Sequence, residues 1–273
     1  MVKAIPENKI DALPESPQAP EAKREKVVAI IQARMTSTRL PGKVMRELCG
    51  TPVIGWMVRR VAACPLVDEV VVATTTNATD DPVAEAAARY GAFVFRGSEA
   101  NVLLRYCQAA AKREAQVIIR ITADCPLYDP QLLTQMLERW HFLRGAGEPL
   151  DYMSNMWGGL TWPRGLDTTI FTRAVLDIIC VKSDRPYQLE HVTPYIYQHP
   201  QEFRLRPFRG DQDLSHHRWT LDTEDDWVLI EAIYQALGDE SRIFSTDEVL
   251  DFLARHPKLS RLNAHIQQKT LGD

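Results

Sequence analysis

Apolar residues along this chain fall into two alternating patterns between about residues 27 and 121. Four short runs rich in valine, isoleucine and alanine predict buried strands, at 27–31, 69–73, 92–95 and 117–121. The segments between them repeat apolar residues every three or four positions, which predicts helices at about 53–61, 81–91 and 100–113. Strands that alternate with helices are joined by crossovers, so we predict an α/β fold with a mainly parallel sheet and helices on both faces.

The first predicted strand leads into a polar segment at 30–43, called the cationic loop below. This loop carries Arg34, Arg39 and Lys43, and three hydroxyl residues stand at 36–38. The carboxyl end of the first strand of an α/β sheet commonly binds anions, of which nucleotide phosphates are the most frequent. We therefore expect a phosphate site here, and a solvated basic turn is the alternative.

Neither of the two common phosphate-binding fingerprints is present in the cationic loop. A Walker A loop would need glycine in place of Ser37 and serine or threonine in place of Val44. No Gly-x-Gly-x-x-Gly sequence follows a predicted strand. ATPase and dinucleotide-binding interpretations therefore lose their main support.

Two aspartates follow predicted strands. Asp124 comes just after the fourth strand, at the edge of a parallel sheet where ligands bind, so it is a candidate metal ligand. Its alternative role is to cap a loop. Asp222 follows a short strand predicted to end at Leu221, and Thr223 can cap the helix that comes next. Capping leaves Asp222 without an assigned role.

The periodic pattern loosens from about residue 145, where glycines and tryptophans become frequent. We expect a substrate lobe or a subunit interface at about 145–210, in preference to core sheet. Arg164 could bind a carboxylate or phosphate through its two-pronged donor geometry. Glu190 and His191 stand on a predicted helix, and a purely structural role is the alternative for His191.

Composition bounds the remaining possibilities. A chain of 273 residues with 45% hydrophobic content can bury a substantial core in one domain, at 27–273, after a proline-rich flexible tail at 1–26. The net charge of -4 and the pI of about 6.0 argue against a nucleic-acid partner. The absence of a long apolar run argues against a membrane segment.

The five cysteines are odd in number and form no C-x-x-C pair. This usage predicts a reducing, cytoplasmic environment without a disulfide framework or a cysteine zinc site. A last helix, capped by Thr246, is predicted to pack at the periphery.

The cationic loop, read together with the blocks at 120–127, 163–167, 190–193 and 219–226, resembles the cytidylyltransferase family that makes CMP-activated acidic sugars. The nearest branch is the spore-coat polysaccharide biosynthesis protein F type, and the resemblance runs from about residue 27 to 227. It implies a Rossmann-like three-layer α/β sandwich of the nucleotide-diphospho-sugar transferase type, and a homodimer. It further implies transfer of CMP from CTP to an acidic sugar, with release of pyrophosphate, for surface glycan synthesis.

The resemblance also implies roles for individual residues. Asp124 and Asp222 would hold Mg²⁺, and with Arg34 and Lys43 they form the expected catalytic set. The expected nucleotide-binding residues are Gln32, Ala33, Arg34, Arg39, Lys43, Thr74 and Arg96. The expected acceptor-binding residues are Arg164, Asp167, Glu190 and His191.

Two other classes of function remain as alternatives. A nucleotide-sugar glycosyltransferase would usually bind its diphosphate through an Asp-x-Asp triplet, and the one such triplet, at 211–213, lies in a predicted loop. A nucleotide-binding module without catalysis is the second alternative, and the presence of both Asp124 and Asp222 counts against it.

Overall fold

A seven-stranded sheet forms the centre of the molecule in a computed structural model, which describes residues 24–268. Most of the flexible tail predicted at 1–26 lies outside the described residues. The strands are β1 (Val27–Gln32), β2 (Glu47–Leu48), β3 (Thr51–Pro52), β4 (Glu69–Thr75), β5 (Phe93–Gly97), β6 (Val117–Thr122), β7 (Tyr152–Ser154), β8 (Thr169–Thr172) and β9 (Leu205–Pro207). The helices are α1 (Val53–Ala62), α2 (Asp81–Arg89), α3 (Val102–Lys112), α4 (Pro130–Gly145), α5 (Arg173–Lys182), α6 (Pro186–His191), α7 (Pro194–Gln198), α8 (Glu224–Leu237), α9 (Thr246–Arg255) and α10 (Pro257–Ser260).

The strand order of the main sheet is β5-β4-β1-β6-β8-β7-β9. The four strands predicted from the sequence are its parallel half, because β5, β4, β1 and β6 pair in the same direction. Strand β8 is antiparallel to both β6 and β7. The small strands β2 and β3 pair only with each other. The predicted α/β class with a mainly parallel sheet is confirmed.

Alternate residues of each central strand enter two separate cores. Val27, Ala29 and Ile31 of β1 pack with α1, α2, α4, α8 and α9 on one face, called the α1 face below. Val28 and Ile30 pack with α3, α5 and α6 on the other, called the α3 face. Both faces are therefore covered by helices, which accounts for the continuous apolar runs of the parallel strands.

The loose pattern of the segment at about 145–210 suggested a lobe separate from the sheet. In the structure this segment is part of the sheet. Its three short strands extend the main sheet beyond β6, while α5, α6 and α7 cover the α3 face. Each of these strands has only three or four residues, so periodicity could not reveal them. Whether this segment also binds the substrate or a second subunit stays a prediction.

Several local predictions are wrong in detail. Ser245, not Thr246, caps α9 by accepting the backbone N–H of Glu248. The single helix expected around Glu190 is divided into α6 and α7 by Val192, whose φ is 70°. The strand expected to end at Leu221 is only an isolated bridge between Arg164 and Arg218.

The cysteine prediction also needs correction, because Cys107 of α3 and Cys180 of α5 form a disulfide. The two helices pack against each other on the α3 face, which brings together cysteines that stand 73 positions apart in the sequence. Spacing along the chain could not show this proximity. Cys49, Cys64 and Cys125 are free thiols. No helix within residues 24–268 has the length and apolar character needed to cross a bilayer.

Gly165 allows two backbone segments to meet closely. The N–H of Trp219 donates to the carbonyl of Arg164 at 2.6 Å, and the N–H of Arg164 donates to the carbonyl of His217 at 3.0 Å. The φ of Gly165 is 108°, and a Cβ atom there would lie 2.5 Å from the carbonyl carbon of Trp219. Glycine is therefore required at this position for both conformation and space.

We expect Gly165→Ala to lower the free energy of unfolding by about 2 kcal/mol or more, because the backbone would have to move. Urea unfolding followed by circular dichroism measures the loss. Gly145→Ala is the matched control, because nothing lies within 4 Å of its added Cβ, and it should leave stability unchanged or slightly higher. Equal stability of the two variants would contradict the assigned role of Gly165.

Candidate active site

A cavity of about 720 Å³ lies at the carboxyl ends of β1 and β6, beside the cationic loop. Its walls come from segments that are far apart in the sequence and meet at one edge of the sheet. Most of the residues predicted for the site line this cavity, namely Gln32, Ala33, Arg34, Arg39, Lys43, Asp124, Arg164, Asp167, Glu190, His191 and Asp222.

The cationic loop is fixed at its beginning and at its end. Asp80, which is 1% exposed, accepts the backbone N–H of Met35 at 2.7 Å. The N–H of Gly42 then donates to the carbonyl of Met35 at 3.0 Å, with Gly42 in the left-handed region at φ 69°. Leu40 anchors the middle of the loop in the core. The loop therefore holds its cations at the cavity on a defined backbone.

Lys43 joins the two predicted metal ligands. Its Nζ atom lies 2.8 Å from Asp124 Oδ2 and 2.8 Å from Asp222 Oδ1. Burial works to lower the pKa of Lys43, but the two carboxylates outweigh it and raise the pKa to about 12. Burial likewise works to raise the pKa of Asp124, and the ammonium of Lys43 reverses this and brings it to about 2. At neutral pH, Lys43 is therefore charged and Asp124 is ionised.

Asp222 also binds two arginines through its second oxygen. Arg39 from the cationic loop lies 3.1 Å from Asp222 Oδ2, and Arg218 lies 2.8 Å from the same atom. Asp222 thus links the cationic loop to the segment that precedes α8. The sequence predicted Arg39 but not Arg218, because only the folded chain brings Arg218 onto the carboxylate.

Asp226 supports this arrangement from behind. It is fully buried and accepts the Nε–H of Arg218 at 3.0 Å and the backbone N–H of Asp222 at 2.9 Å. It also forms the predicted cap of α8 with Thr223. Asn263 donates its side-chain N–H to Asp226 at 2.8 Å. Asp226, to which the sequence analysis gave no role, therefore both caps α8 and orients Arg218 and Asp222.

A second group of polar residues lines the part of the cavity formed by the segment at 145–210. Arg164 lies 3.4 Å from Asp167. Burial, against the charge of Arg164, raises the pKa of Asp167. Burial also lowers the pKa of His191, and the charge of Arg120 adds to that effect. His191 is therefore neutral at pH 7.

Arg34 lies between the two groups. Its guanidinium is 3.8 Å from Glu99 and 3.7 Å from Glu190. These ion pairs are long and their members are about 39 to 55% exposed, so they hold Arg34 only weakly. An anionic ligand in the cavity can displace them at little cost.

Thr74 and Arg96, predicted as nucleotide contacts, do not line the cavity. Thr74 is completely buried on the α1 face, since it follows Val70 and Val72 at the same parity along β4. Arg96 donates to the carbonyls of Thr75 and Asn77 and pairs with Asp81 at 2.6 Å. Arg96 therefore stabilises the turn after β4.

Several cavity residues were missed by the sequence analysis. The clearest is Arg120, which lies in β6 between buried apolar residues and lines the cavity. An arginine inside an apolar strand is unusual, and that signal was present in the sequence. Other residues line the cavity without any local signal that marks them as site residues, among them Arg105, Tyr152, Trp157 and Tyr197.

Comparison with known proteins identifies the family. The sequence profile named cytidylyltransferase matches residues 28–236, which is most of the chain and includes the cationic loop, Asp124 and Asp222. The chain belongs to the cytidylyltransferase family. It is therefore an enzyme, a CTP-dependent nucleotidyltransferase.

Individual relatives of this cytidylyltransferase support the same family assignment. The spore coat polysaccharide biosynthesis protein SpsF of Bacillus subtilis is 35% identical over 85% of this chain and 95% of its own length. A 3-deoxy-manno-octulosonate cytidylyltransferase of Synechococcus elongatus is 30% identical over 68% of this chain and 75% of its own length. The resemblance to the spore-coat branch is thus confirmed.

A solved structure confirms the architecture. The cytidylyltransferase of Leptospira borgpetersenii has a TM-score of 0.82 and 30% sequence identity, and the alignment covers 90% of this chain and 100% of that one. The Rossmann-like fold expected from the resemblance is therefore correct for this cytidylyltransferase.

Proposed function

We propose that this cytidylyltransferase transfers CMP from CTP to an acidic sugar or a related acceptor, and releases pyrophosphate with the help of a divalent metal such as Mg²⁺. The observation that carries the proposal is the contact of Lys43 with both Asp124 and Asp222 inside the cavity, beside Arg34 and Arg39 of the cationic loop. The names of the Bacillus and Synechococcus relatives support a role in surface glycan synthesis.

The charges of the site suit a reaction on a triphosphate. Arg34, Arg39 and Lys43 would neutralise the charge that develops on the leaving pyrophosphate while an acceptor hydroxyl attacks the α-phosphorus. Positioning and electrostatic stabilisation supply most of the rate in such a transfer, so no covalent protein intermediate is needed. Gln32 and Ala33, at the end of β1, would contact the nucleoside.

The two aspartates fit a divalent cation. Their carboxylates converge on one cation, the ammonium of Lys43, so a divalent cation that moves this ammonium aside would meet two oxygen ligands. Among residues 24–268, no group of three or more histidine, cysteine, aspartate or glutamate side chains is arranged to hold a metal by itself. Mg²⁺ commonly takes one or two carboxylates and completes its shell with water and substrate phosphates. When bound, it would neutralise the triphosphate and orient it.

The opposite part of the cavity would take the acceptor. Arg164, Asp167, Glu190 and His191 line it, as the resemblance implied, and they belong to the segment at 145–210. Neutral His191 can donate or accept a hydrogen bond to a sugar hydroxyl. We also propose that the protein is a homodimer and that the same segment forms the interface between the subunits. Size-exclusion chromatography with light scattering would test the oligomeric state.

A pyrophosphate-release assay tests the proposed transfer. Purified protein is incubated with CTP, Mg²⁺ and single acceptors, including 3-deoxy-manno-octulosonate and N-acetylneuraminate, and the CMP-sugar is confirmed by mass spectrometry. We expect turnover that is abolished by EDTA and restored by excess Mg²⁺. Turnover of UDP-sugars without pyrophosphate would instead favour the glycosyltransferase. CTP binding without turnover of any acceptor would favour the non-catalytic module.

A further inference from the structure

Arg120 is a cavity residue that the proposed transfer leaves without a role. It stands in β6, four positions before Asp124, so at most about 13 Å of extended strand separates their Cα atoms. Its neighbours across the sheet are Ile30 of β1 and Thr169 of β8. Arg120 shares the parity of Ile118 along β6, so its side chain lies on the α3 face, where Tyr106 and Tyr152 also pack.

The other cations of the cavity have partners. Lys43 and Arg39 contact Asp222, Arg164 contacts Asp167, and Arg34 lies near two glutamates. Arg105 donates to backbone carbonyls at the start of α3. Among the six lysine and arginine side chains that line the cavity within residues 24–268, partners therefore account for all but Arg120.

Arg120 differs in this respect. Within residues 24–268, it takes part in no ion pair, and its Nε–H is buried without a hydrogen-bond partner. A half-buried guanidinium without a counter-ion is costly in the free protein, and an anion that enters the cavity would offset that cost. Its planar pair of donors suits a carboxylate, which can accept both at once.

Three polar side chains near Arg120, namely Tyr152, His191 and Tyr197, are uncharged at neutral pH. Burial raises the pKa of Tyr197 to about 12, against the charge of Arg120. Tyr152 is also kept as a neutral phenol by burial, and His191 is neutral. These side chains offer hydrogen bonds to sugar hydroxyls but do not neutralise the guanidinium. Arg120 together with these neutral polar groups suits a sugar acid.

We propose that Arg120 binds the carboxylate of the acceptor and thereby selects acidic sugars over neutral ones. The carboxylate would lie on the α3 face of β6, and the attacking hydroxyl would point toward Asp124 and Lys43 at the end of the same strand. This inference rests on the proposed cytidylyl transfer, and it assigns the part of the acceptor that the enzyme recognises.

Steady-state kinetics of Arg120→Gln and Arg120→Lys test the proposal. Each variant and the wild type are measured with two acceptors, the acid that the wild type turns over and the methyl ester of that acid. We expect Arg120→Gln to raise the acceptor KM by about 10- to 100-fold, the size of a lost charged hydrogen bond, and to change the KM for CTP less than about 3-fold. The wild type should prefer the acid to the ester, and Arg120→Gln should lose that preference. Arg120→Lys should recover part of it, because the charge remains while the two-pronged geometry is lost.

Arg46→Gln is the matched control, since Arg46 pairs with exposed Glu224 outside the cavity and should retain wild-type kinetics. Thermal melts of all variants separate loss of binding from loss of folding. An unchanged preference for the acid in Arg120→Gln would overturn the proposal, as would a wild type that turns over only neutral acceptors.

Isothermal titration with 3-deoxy-manno-octulosonate and N-acetylneuraminate, in the presence of CTP and Ca²⁺, separates this proposal from the proposed transfer. If the acid binds to the wild type and not to Arg120→Gln, the carboxylate site is supported. If the wild type also fails to release pyrophosphate in the turnover assay, the proposed transfer is rejected while the carboxylate site stands. Equal binding to both proteins, or binding to neither, would overturn the carboxylate site.

Discussion

Replacing Lys43 with methionine is expected to reduce kcat/KM for CTP-dependent pyrophosphate release by about a thousandfold. The ammonium of Lys43 touches both Asp124 and Asp222, and no other side chain described at 24–268 bridges them. Without it, two carboxylates face each other in a site where they are only 23% and 12% exposed. The triphosphate would then lose the cation that offsets Asp124, which weakens both binding and the departure of pyrophosphate.

The same substitution should destabilise the metal-free protein by about 3 kcal/mol at pH 7, because an ion-pair partner is removed from a largely buried site. The pKa of Asp124 in the folded wild type is about 2, below its ordinary value of 3.8. Its stabilising contribution is therefore present above about pH 4 and is lost as the pH falls toward 2. The difference between wild type and Lys43→Met should accordingly shrink as the pH falls.

Urea unfolding at a series of pH values, together with the pyrophosphate assay, measures both effects. Arg46→Met serves as the control, since it also removes a cation near α1, and the contacts it breaks, with exposed Glu224 and the ring of Trp227, lie outside the cavity. If Lys43→Met kept activity within about threefold of the wild type, Lys43 would not act on the triphosphate.

Asp124→Asn and Asp222→Asn are each expected to lower kcat/KM by about 10²- to 10⁴-fold, and to raise the Mg²⁺ concentration needed for half-maximal rate. An amide keeps the shape of the carboxylate but is a poorer ligand for Mg²⁺. Asp222→Asn should in addition raise the KM for CTP, because Asp222 also holds Arg39 of the cationic loop at 3.1 Å. Asp124 has no such contact with Arg39.

Initial rates over a matrix of CTP and Mg²⁺ concentrations separate these outcomes. Asp213→Asn is the control, since Asp213 accepts from Ser215 within an exposed turn that does not line the cavity. Full metal-dependent activity in either Asp124→Asn or Asp222→Asn would remove that residue from the proposed metal site. Loss of activity in Asp213→Asn would favour the Asp-x-Asp alternative.

The parallel half of the fold could be predicted because its strands have five to seven residues and three of them, β1, β4 and β6, are largely buried on both faces. The runs that became β1, β4, β5 and β6 carry a strong apolar signal, and crossover geometry then determines their direction. The other half could not be predicted, since β7 has three residues and its stability comes from pairing with β8 and β9. Such strands depend on partners, and the local sequence does not specify them.

The candidate site could likewise be predicted only in part. The cationic loop and Asp124 follow parallel strands and must meet at one edge, so their proximity followed from topology. Asp222 follows only an isolated bridge, and its place in the site was implied by the family resemblance. Thr74 failed as a contact because it lies on the α1 face of β4, whereas Gln32 and Arg120 lie on the α3 face of their strands. Successive side chains of a strand point to opposite faces of the sheet. Predicting where a strand ends therefore does not determine which of its side chains line the cavity. The contacts of Arg218 and Asp226 depend on packing that no local pattern encodes.

The buried carboxylate of Asp226 has one further consequence, which concerns the C-terminal segment. Asn263 reaches back to donate to Asp226 at 2.8 Å and to the carbonyl of Arg218 at 2.9 Å, while Gln268 accepts from Arg218 at 2.9 Å. A segment predicted as peripheral packing therefore helps to set the orientation of Asp222. Shortened forms of this enzyme should keep residues up to 268, since a deletion made to improve crystallisation or expression would remove contacts that hold Arg218 and Asp226, and through them Asp222.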